Sequence, residues 1–268
     1  MPTNKDFSPE ILDKLAALQK KYAAMGQDIS SYLDGLLYAD FLTYWDYINL
    51  DTLLNLQQPI TPYPDEKVFI IYHQITELYF KLCLHEFDRV AQSVKACELT
   101  PAFLLERVRR INRYFEALTS SFDIMVDGMD TAEFLKFRMS LLPASGFQSA
   151  QYREIEIYST DFINLVAKDF REQLQKENKI AALFEDIYWK AGATELATGK
   201  KTLTLIQFEE KYRDQFIQLG EHCRDKNLWQ VYLRLSQEDQ QDEQVKQALR
   251  QNDINVNINW PLAHYKSA

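Results

Sequence analysis

Glycine is scarce in this chain, with seven residues in 268. Folds that wrap a dinucleotide or a triphosphate in a glycine-rich turn depend on that residue, so the count argues against them. The nearest approach is "GATELATGKKT", residues 192 to 202. It has six residues between its glycines where a P-loop has four, and Lys201 stands where Ser or Thr would hold the metal. It reads as a solvated loop. Cysteine is scarcer still: Cys83, Cys97 and Cys223 are odd in number, and no two have metal or redox spacing. Unpaired thiols in a reducing compartment are the expectation. A basic excess is also missing. Thirty Lys and Arg against thirty-nine Asp and Glu give a formal net charge of -9, which disfavours nucleic acid or an anionic membrane as the main partner. "MPTNKDFSPE" has no apolar core for a signal peptide, and no run approaches transmembrane length. The chain is expected to be cytoplasmic.

What the chain has in quantity is helix signal. "SPEILDKLAALQKKYAAMG" opens with Ser8 as N-cap and Pro9 at the first helical position, and closes at Gly26. Ile11, Leu12, Leu15, Leu18 and Tyr22 keep the three-four rhythm of an amphipathic helix. "TPAFLLERVRRINRYFEALTSSFDIMVDG" repeats that grammar from Thr100 to Gly128. "DTAEFLKFRMSLLP" has Asp130 three residues before Glu133, a capping-box-like start, and stops at Pro143. Residues 65–97 read as one long helix, apolar around much of its circumference and therefore central. Further helices are expected over 146–176, 179–191, 203–223 and 226–250. Nothing alternates like a strand and nothing repeats. The fold class is all-α, with one main helical domain over 1–268.

Four histidines can be weighed singly. His73 lies within "FIIYHQ" on the central helix, with Glu77 one turn on where it could orient the ring. A core histidine satisfied by a hydrogen bond and a functional one both fit that spacing. His85 falls well off the same face, and His222 sits in the polar "GEHCRDK". His264, in "WPLAHYKSA", could be structural or could ligate a haem, which without a C-x-x-C-H would be held non-covalently. A di-iron bundle is excluded by its own motif. It needs Glu-x-x-His pairs, and positions 70, 82, 219 and 261 are Ile, Leu, Leu and Pro. Arg138 stands among Phe134, Phe137, Met139, Leu141 and Leu142, just before the break at Pro143 and Gly146. It could snorkel, pair with a carboxylate, or clamp an anionic ligand together with Ser145 and the amides after the break.

Three blocks carry a family resemblance. "YINLDTLLNLQQP" at 47–59 looks like an N-terminal segment of the tryptophan 2,3-dioxygenases. "FIIYHQITELYFK" at 69–81 is similar to their distal-side helix, F-I-x-x-H-Q-x-x-E-L-W-x-K. "FLKFRMSLLPASGFQSAQYREIE" resembles their most specific signature, Y-x-x-F-R-x-x-L-x-P-x-S-G-F-Q-S-x-Q-Y-R. The blocks keep family order over roughly residues 40 to 156, and "WPLAH" matches the Trp-x-x-x-His of the proximal segment.

The resemblance implies a multi-helix haem-binding domain of tryptophan 2,3-dioxygenase type, with non-covalent haem b as cofactor. It implies that L-tryptophan and O2 are the substrates and that N-formyl-L-kynurenine is the product. By position, Arg138 would bind the substrate α-carboxylate with Ser145 beside it, and Phe69 would pack on the indole. His73 would accept the indole N–H, and His264 would be the axial iron ligand. Ile70, Ile71, Tyr72 and Phe134 fall in the same substrate-facing blocks. Tyr44, Tyr47 and Ile48 fall where a neighbouring subunit completes the pocket, so a homotetramer is implied, with residues 1–60 serving the neighbour.

Three departures qualify the match. Phe134 stands where the family has tyrosine, removing a hydroxyl from the carboxylate end. Pro261 lies three residues before His264, where the family runs a helix through, and it is tolerable if a helix begins there. The sequence ends at Ala268, before the glycine-rich loop that covers the substrate; a chain that continues and a chain without the loop are both compatible with it. Two rival readings stay open: a divergent haem oxygenase acting on a modified tryptophan or another indole, and a haem-free helical binding protein.

Overall fold

A computed structural model describes residues 7–40, 42–96, 98–141, 146–194 and 199–266. Among these there is no strand; two isolated bridges, Val166–Ile187 and Thr194–Lys201, are the extent of β pairing. Residue contacts divide the span read from the sequence as one domain into two compact units, Met1–Leu56 and Gln57–Ala268.

The first unit holds helices Pro9–Ala24 and Ile29–Leu37 and the short turns Tyr44–Tyr47 and Leu50–Leu54, none of which buries a residue. Its local grammar is as expected. The Ser8 hydroxyl accepts from the Ile11 amide, and Gly26 takes a left-handed φ of 67°. That conformation lets the next amide reach back to the Tyr22 carbonyl.

The second unit is built around the 32-residue helix Asp65–Ala96. Helix Pro101–Ser121 packs along it and helix Ala150–Ser159 packs on another side. One core joins Phe80, Phe87, Ile111, Phe115 and Leu118 to Val256 and Trp260 near the C-terminus. The other gathers Phe184, Trp189, Phe208 and Phe216 around helix Leu203–Cys223. Cys83 and Cys223 are free and buried, while Cys97 lies outside the described residues.

The capping box anticipated at Asp130 is completed between helices. Asp130 accepts from the Glu133 amide at 2.9 Å, as expected. The Glu133 carboxylate, however, takes the backbone N–H of Asp65 at 3.2 Å, and the Asp65 carboxylate takes that of Asp130 at 2.6 Å. Each helix start supplies the anion for the other's orphan donor. This exchange ties Thr131–Phe137 and the 3-10 turn Arg138–Leu141 to the beginning of the central helix.

Several expected helices are broken; 179–191 is helix Ile180–Glu185 followed by the 3-10 turn Tyr188–Ala193. The stretch 146–176 is a 3-10 turn Gly146–Gln148, helix Ala150–Ser159, a 3-10 turn Phe162–Leu165 and helix Lys168–Leu174. The stretch 226–250 divides into Leu228–Leu233, a 3-10 turn Asp239–Gln241 and a helix beginning at Glu243. At the break after helix Ala150–Ser159 the Asp161 carboxylate accepts from Asn227 Nδ2 at 2.9 Å and from Gln230 Nε2 at 2.9 and 3.0 Å, both from the start of helix Leu228–Leu233.

The stretch read as a solvated loop also differs at its start. Gly192 and Ala193 end a 3-10 turn, Tyr188–Ala193, whose Trp189, Lys190 and Ala193 are buried. Residues 195–198 lie outside the described residues.

Candidate active site

A cavity of about 580 Å3 opens between the central helix, helix Ala150–Ser159, the Tyr188–Ala193 turn and the C-terminal helix Trp260–Lys266. Its walls are mainly aromatic, with Tyr72, Phe80, Phe122, Tyr152, Trp189 and Trp260 contributing. Two histidines face it, His73 from the central helix and His264 from the C-terminal helix.

His73 is half-buried, and its Nδ1 lies 2.8 Å from the Phe69 carbonyl oxygen. A carbonyl only accepts, so Nδ1 carries the hydrogen and Nε2 is left as an acceptor. Desolvation by burial holds the imidazole below its ordinary pKa, against the opposing Phe69 hydrogen bond and Glu77 charge. It is therefore neutral at pH 7. The orienting partner differs from the expected Glu77, whose carboxylate is engaged by Gln151 Nε2 at 2.7 Å. His264 lies on the open side of the cavity, with its ring 5.6 Å from that of Phe122. Burial, and then the charge His73 would carry, keep its pKa low as well. Gly146 approaches it closely: a Cβ there would stand 3.0 Å from both Cε1 and Nε2 of the ring. A side chain at position 146 would require the ring to give by a few tenths of an ångström.

A second cluster adjoins through His73. The Phe69 ring lies 4.0 Å from the His73 ring, 6.3 Å from Phe134 and 5.9 Å from Phe137. The exposed Arg138 guanidinium stands over the Phe134 ring at 5.6 Å. The expected carboxylate clamp, indole wall and imidazole are thus contiguous. Tyr72 is buried, its hydroxyl 3.2 Å from that of Ser121. Ile70 and Ile71 sit at other angles of the helix, outside the cavity wall. Ser145 lies outside the described residues. Tyr44, Tyr47 and Ile48 belong to the first unit, where both tyrosines are exposed, at 70% and 74%.

Sequence reasoning missed a charged wall. Arg153, only 9% exposed, donates to Glu156 at 3.0 Å, and Tyr188 donates to the other oxygen of the same carboxylate. Burial alone would lower the arginine's pKa, but Glu156 and Tyr188 outweigh it and hold the cation charged. The i, i+3 spacing in "QYREIE" was the available signal, but it looks like any surface pair.

Among the described residues no group of three or more His, Cys, Asp or Glu could hold a metal ion. A bare divalent cation needs several protein donors, whereas a macrocycle brings its own and asks the protein for one axial imidazole. A neutral histidine in an aromatic cavity of this size, with a buried cation in its wall, fits haem by donor chemistry. The hollow beside His85 and His222 is wide open and otherwise lined largely by Lys81, Asp88, Glu154 and glutamines.

A family model described as tryptophan 2,3-dioxygenase matches residues 37–257. The chain belongs to the tryptophan 2,3-dioxygenase family. Tryptophan 2,3-dioxygenase of Bacillus thuringiensis (strain Al Hakam) is 40% identical over 123 residues, 45% of this chain and 43% of that protein. That of Cupriavidus necator is 41% identical over 119 residues, 44% of this chain and 40% of that protein. These alignments span less than half the length of the curated relatives. The match to the family model ends at residue 257, before Trp260 and His264. An all-α architecture agrees with the family, and no helix among the described residues is long and apolar enough to cross a membrane.

Proposed function

We propose that this chain is a haem-dependent dioxygenase that converts L-tryptophan and O2 to N-formyl-L-kynurenine. One observation carries the reading: in a chain of this family, two imidazoles from distant helices, His73 and His264, face one aromatic cavity.

His264 would hold the iron of a non-covalent haem b, with Arg153 supplying positive charge in the wall. The haem, when bound, supplies the O2 chemistry that places both oxygen atoms across the indole C2–C3 bond. The chain's own residues bind and orient. The Arg138 guanidinium, braced on Phe134, clamps the α-carboxylate, with Ser145 nearby. Phe69 packs the indole. His73 Nε2, left as an acceptor by the Phe69 carbonyl, takes the indole N–H and holds the ring in one orientation. Phe134 offers no hydroxyl, so the carboxylate is held by Arg138 with one hydrogen bond fewer than a tyrosine at that place allows.

Tyr44, Tyr47 and Ile48 would complete the pocket of a neighbouring copy in a homotetramer. The reading is supported by the first unit's helices, which bury none of their own residues. A cytoplasmic location fits the free thiols Cys83 and Cys223.

The test is an anaerobic titration of reduced, haem-supplied protein with L-tryptophan, followed by product mass after O2 is admitted. A saturable shift of the haem band and a gain of two oxygen atoms are expected. A gain of one oxygen atom would assign the chain to a monooxygenase, and a protein that stays colourless with added haem would return it to the binding proteins.

A further inference from the structure

The helix that carries His264 contains a fault, and the fault has a matching repair. Helix Glu243–Ile254 runs without a break through a π turn, Asn255–Asn259, into helix Trp260–Lys266. In the π turn the Trp260 N–H reaches the Asn255 carbonyl, five residues back, and so passes over the Val256 carbonyl it would serve in an α-helix. The π-register donor for Val256 is residue 261, which is proline and has no N–H. In the π turn as formed, the Val256 carbonyl is therefore without a main-chain donor. It accepts instead from the Tyr152 hydroxyl at 2.7 Å. Tyr152 stands on another helix and lines the cavity that His264 faces, yet it turns its only proton away from the cavity.

A second set of contacts holds the same turn from the other side. Asn255 is 1% exposed; its Oδ1 accepts from Gln251 Nε2 at 3.0 Å and Asn259 Nδ2 at 2.9 Å, and its Nδ2 reaches Asn112 Oδ1 at 3.4 Å. Asn112 in turn donates to the Ala248 carbonyl at 2.9 Å. A π turn holds one residue more than an α turn, so every side chain after it is displaced by one position, about 100° around the axis. His264 stands five residues after Asn259 and takes its direction from that displacement.

We infer that Tyr152 and Pro261 act together as a register lock, with Tyr152 a positioning residue that aims the His264 imidazole into the cavity. Pro261 denies Val256 its π-register donor, and the Tyr152 hydroxyl replaces that donor where the wide turn lies against it. The inference deepens the haem reading of His264 and rests on it.

The experiment is a double-mutant cycle of Tyr152→Phe and Pro261→Ala, read in two ways. In haem-supplied protein, Tyr152→Phe is expected to weaken haem affinity by roughly tenfold, the scale of losses at residues that orient a metal ligand. It should also shift the iron–histidine stretching band. Adding Pro261→Ala returns an N–H to position 261, within π-register reach of the Val256 carbonyl, and is expected to recover most of both. Tyr152→Phe with parental affinity and band, or with the same loss in either background, overturns the inference. In haem-free protein the same cycle is read by urea unfolding. If His264→Ala binds haem as the parent does, the haem reading fails by itself. The unfolding cycle then decides the lock: non-additive variants keep it and additive variants remove it.

Discussion

His73 Nδ1 stands 2.8 Å from the carbonyl oxygen of Phe69, one turn earlier on the same helix. That single bond decides which nitrogen of the imidazole is available to a ligand. It also sets the ring of Phe69 against that of His73, 4.0 Å between centroids. An acceptor and an aromatic wall are thereby delivered to one place by a four-residue spacing, which the helix supplies without further packing.

If Nε2 accepts the indole N–H, the parent should prefer L-tryptophan to its 1-methyl derivative, which has no N–H to give. His73→Ala should reduce kcat/KM for tryptophan by about tenfold, the scale of one net hydrogen bond of about 1 kcal/mol with some lost packing. The preference should collapse in the variant. An undiminished preference would remove His73 from substrate recognition.

Both imidazoles have pKa values lowered by desolvation, so the unfolded chain takes up their protons more readily than the folded one. Stability of the haem-free protein should therefore rise with pH through the region of the ordinary value, about 6.5, and fall as pH drops below it. His73→Ala should flatten that part of the profile. Urea midpoints measured from pH 5.5 to about 8, spanning that value, check the sign; a stability that rises on acidification would contradict the lowered pKa values.

His264→Ala should lose normal haem retention, and added imidazole should restore part of the Soret intensity by entering the space of the missing ring. An unchanged Soret band without imidazole would take the axial role away from His264.

Arg138 lies over Phe134 at 5.6 Å, so a hydroxyl added at the para position of that ring is introduced beside the clamp. Phe134→Tyr should tighten L-tryptophan binding by roughly tenfold, the lower end of a hydrogen bond to a charged group at about 1.5 kcal/mol. Binding of tryptamine, which has no carboxylate, should not change. Equal gains for both ligands would show that the hydroxyl acts elsewhere.

The Arg153–Glu156 pair is buried on both sides, at 10% and 2% side-chain exposure. Arg153→Met should destabilise the protein by about 3 kcal/mol, because the carboxylate is left uncompensated. Arg153→Met with Glu156→Leu should recover a large share of that loss. Urea unfolding of the single and double variants separates the two, and a double variant weaker than the single would argue against a desolvation cost.

At several helix starts the sequence was a reliable guide. Ser8 with Pro9 and Thr100 with Pro101 cap the helices they begin, since a side-chain oxygen and an amide three residues on meet without help from elsewhere. The blocks around His73 and Arg138 carried the family for the same reason: their residues are neighbours along the chain. Tertiary structure decided what lies beyond that reach. No glycine or proline marks the break at Thr160 and Asp161; what meets Asp161 there is Asn227 and Gln230 from a distant helix. The expected capping box at Asp130 was redirected to Asp65, because two helix starts lie side by side. The i, i+3 spacing of Arg153 and Glu156 does not distinguish a surface pair from the buried one that packing makes of it. His73 and His264 face one cavity only because the two ends of the second unit's sequence share a core, where burial outweighs any local preference.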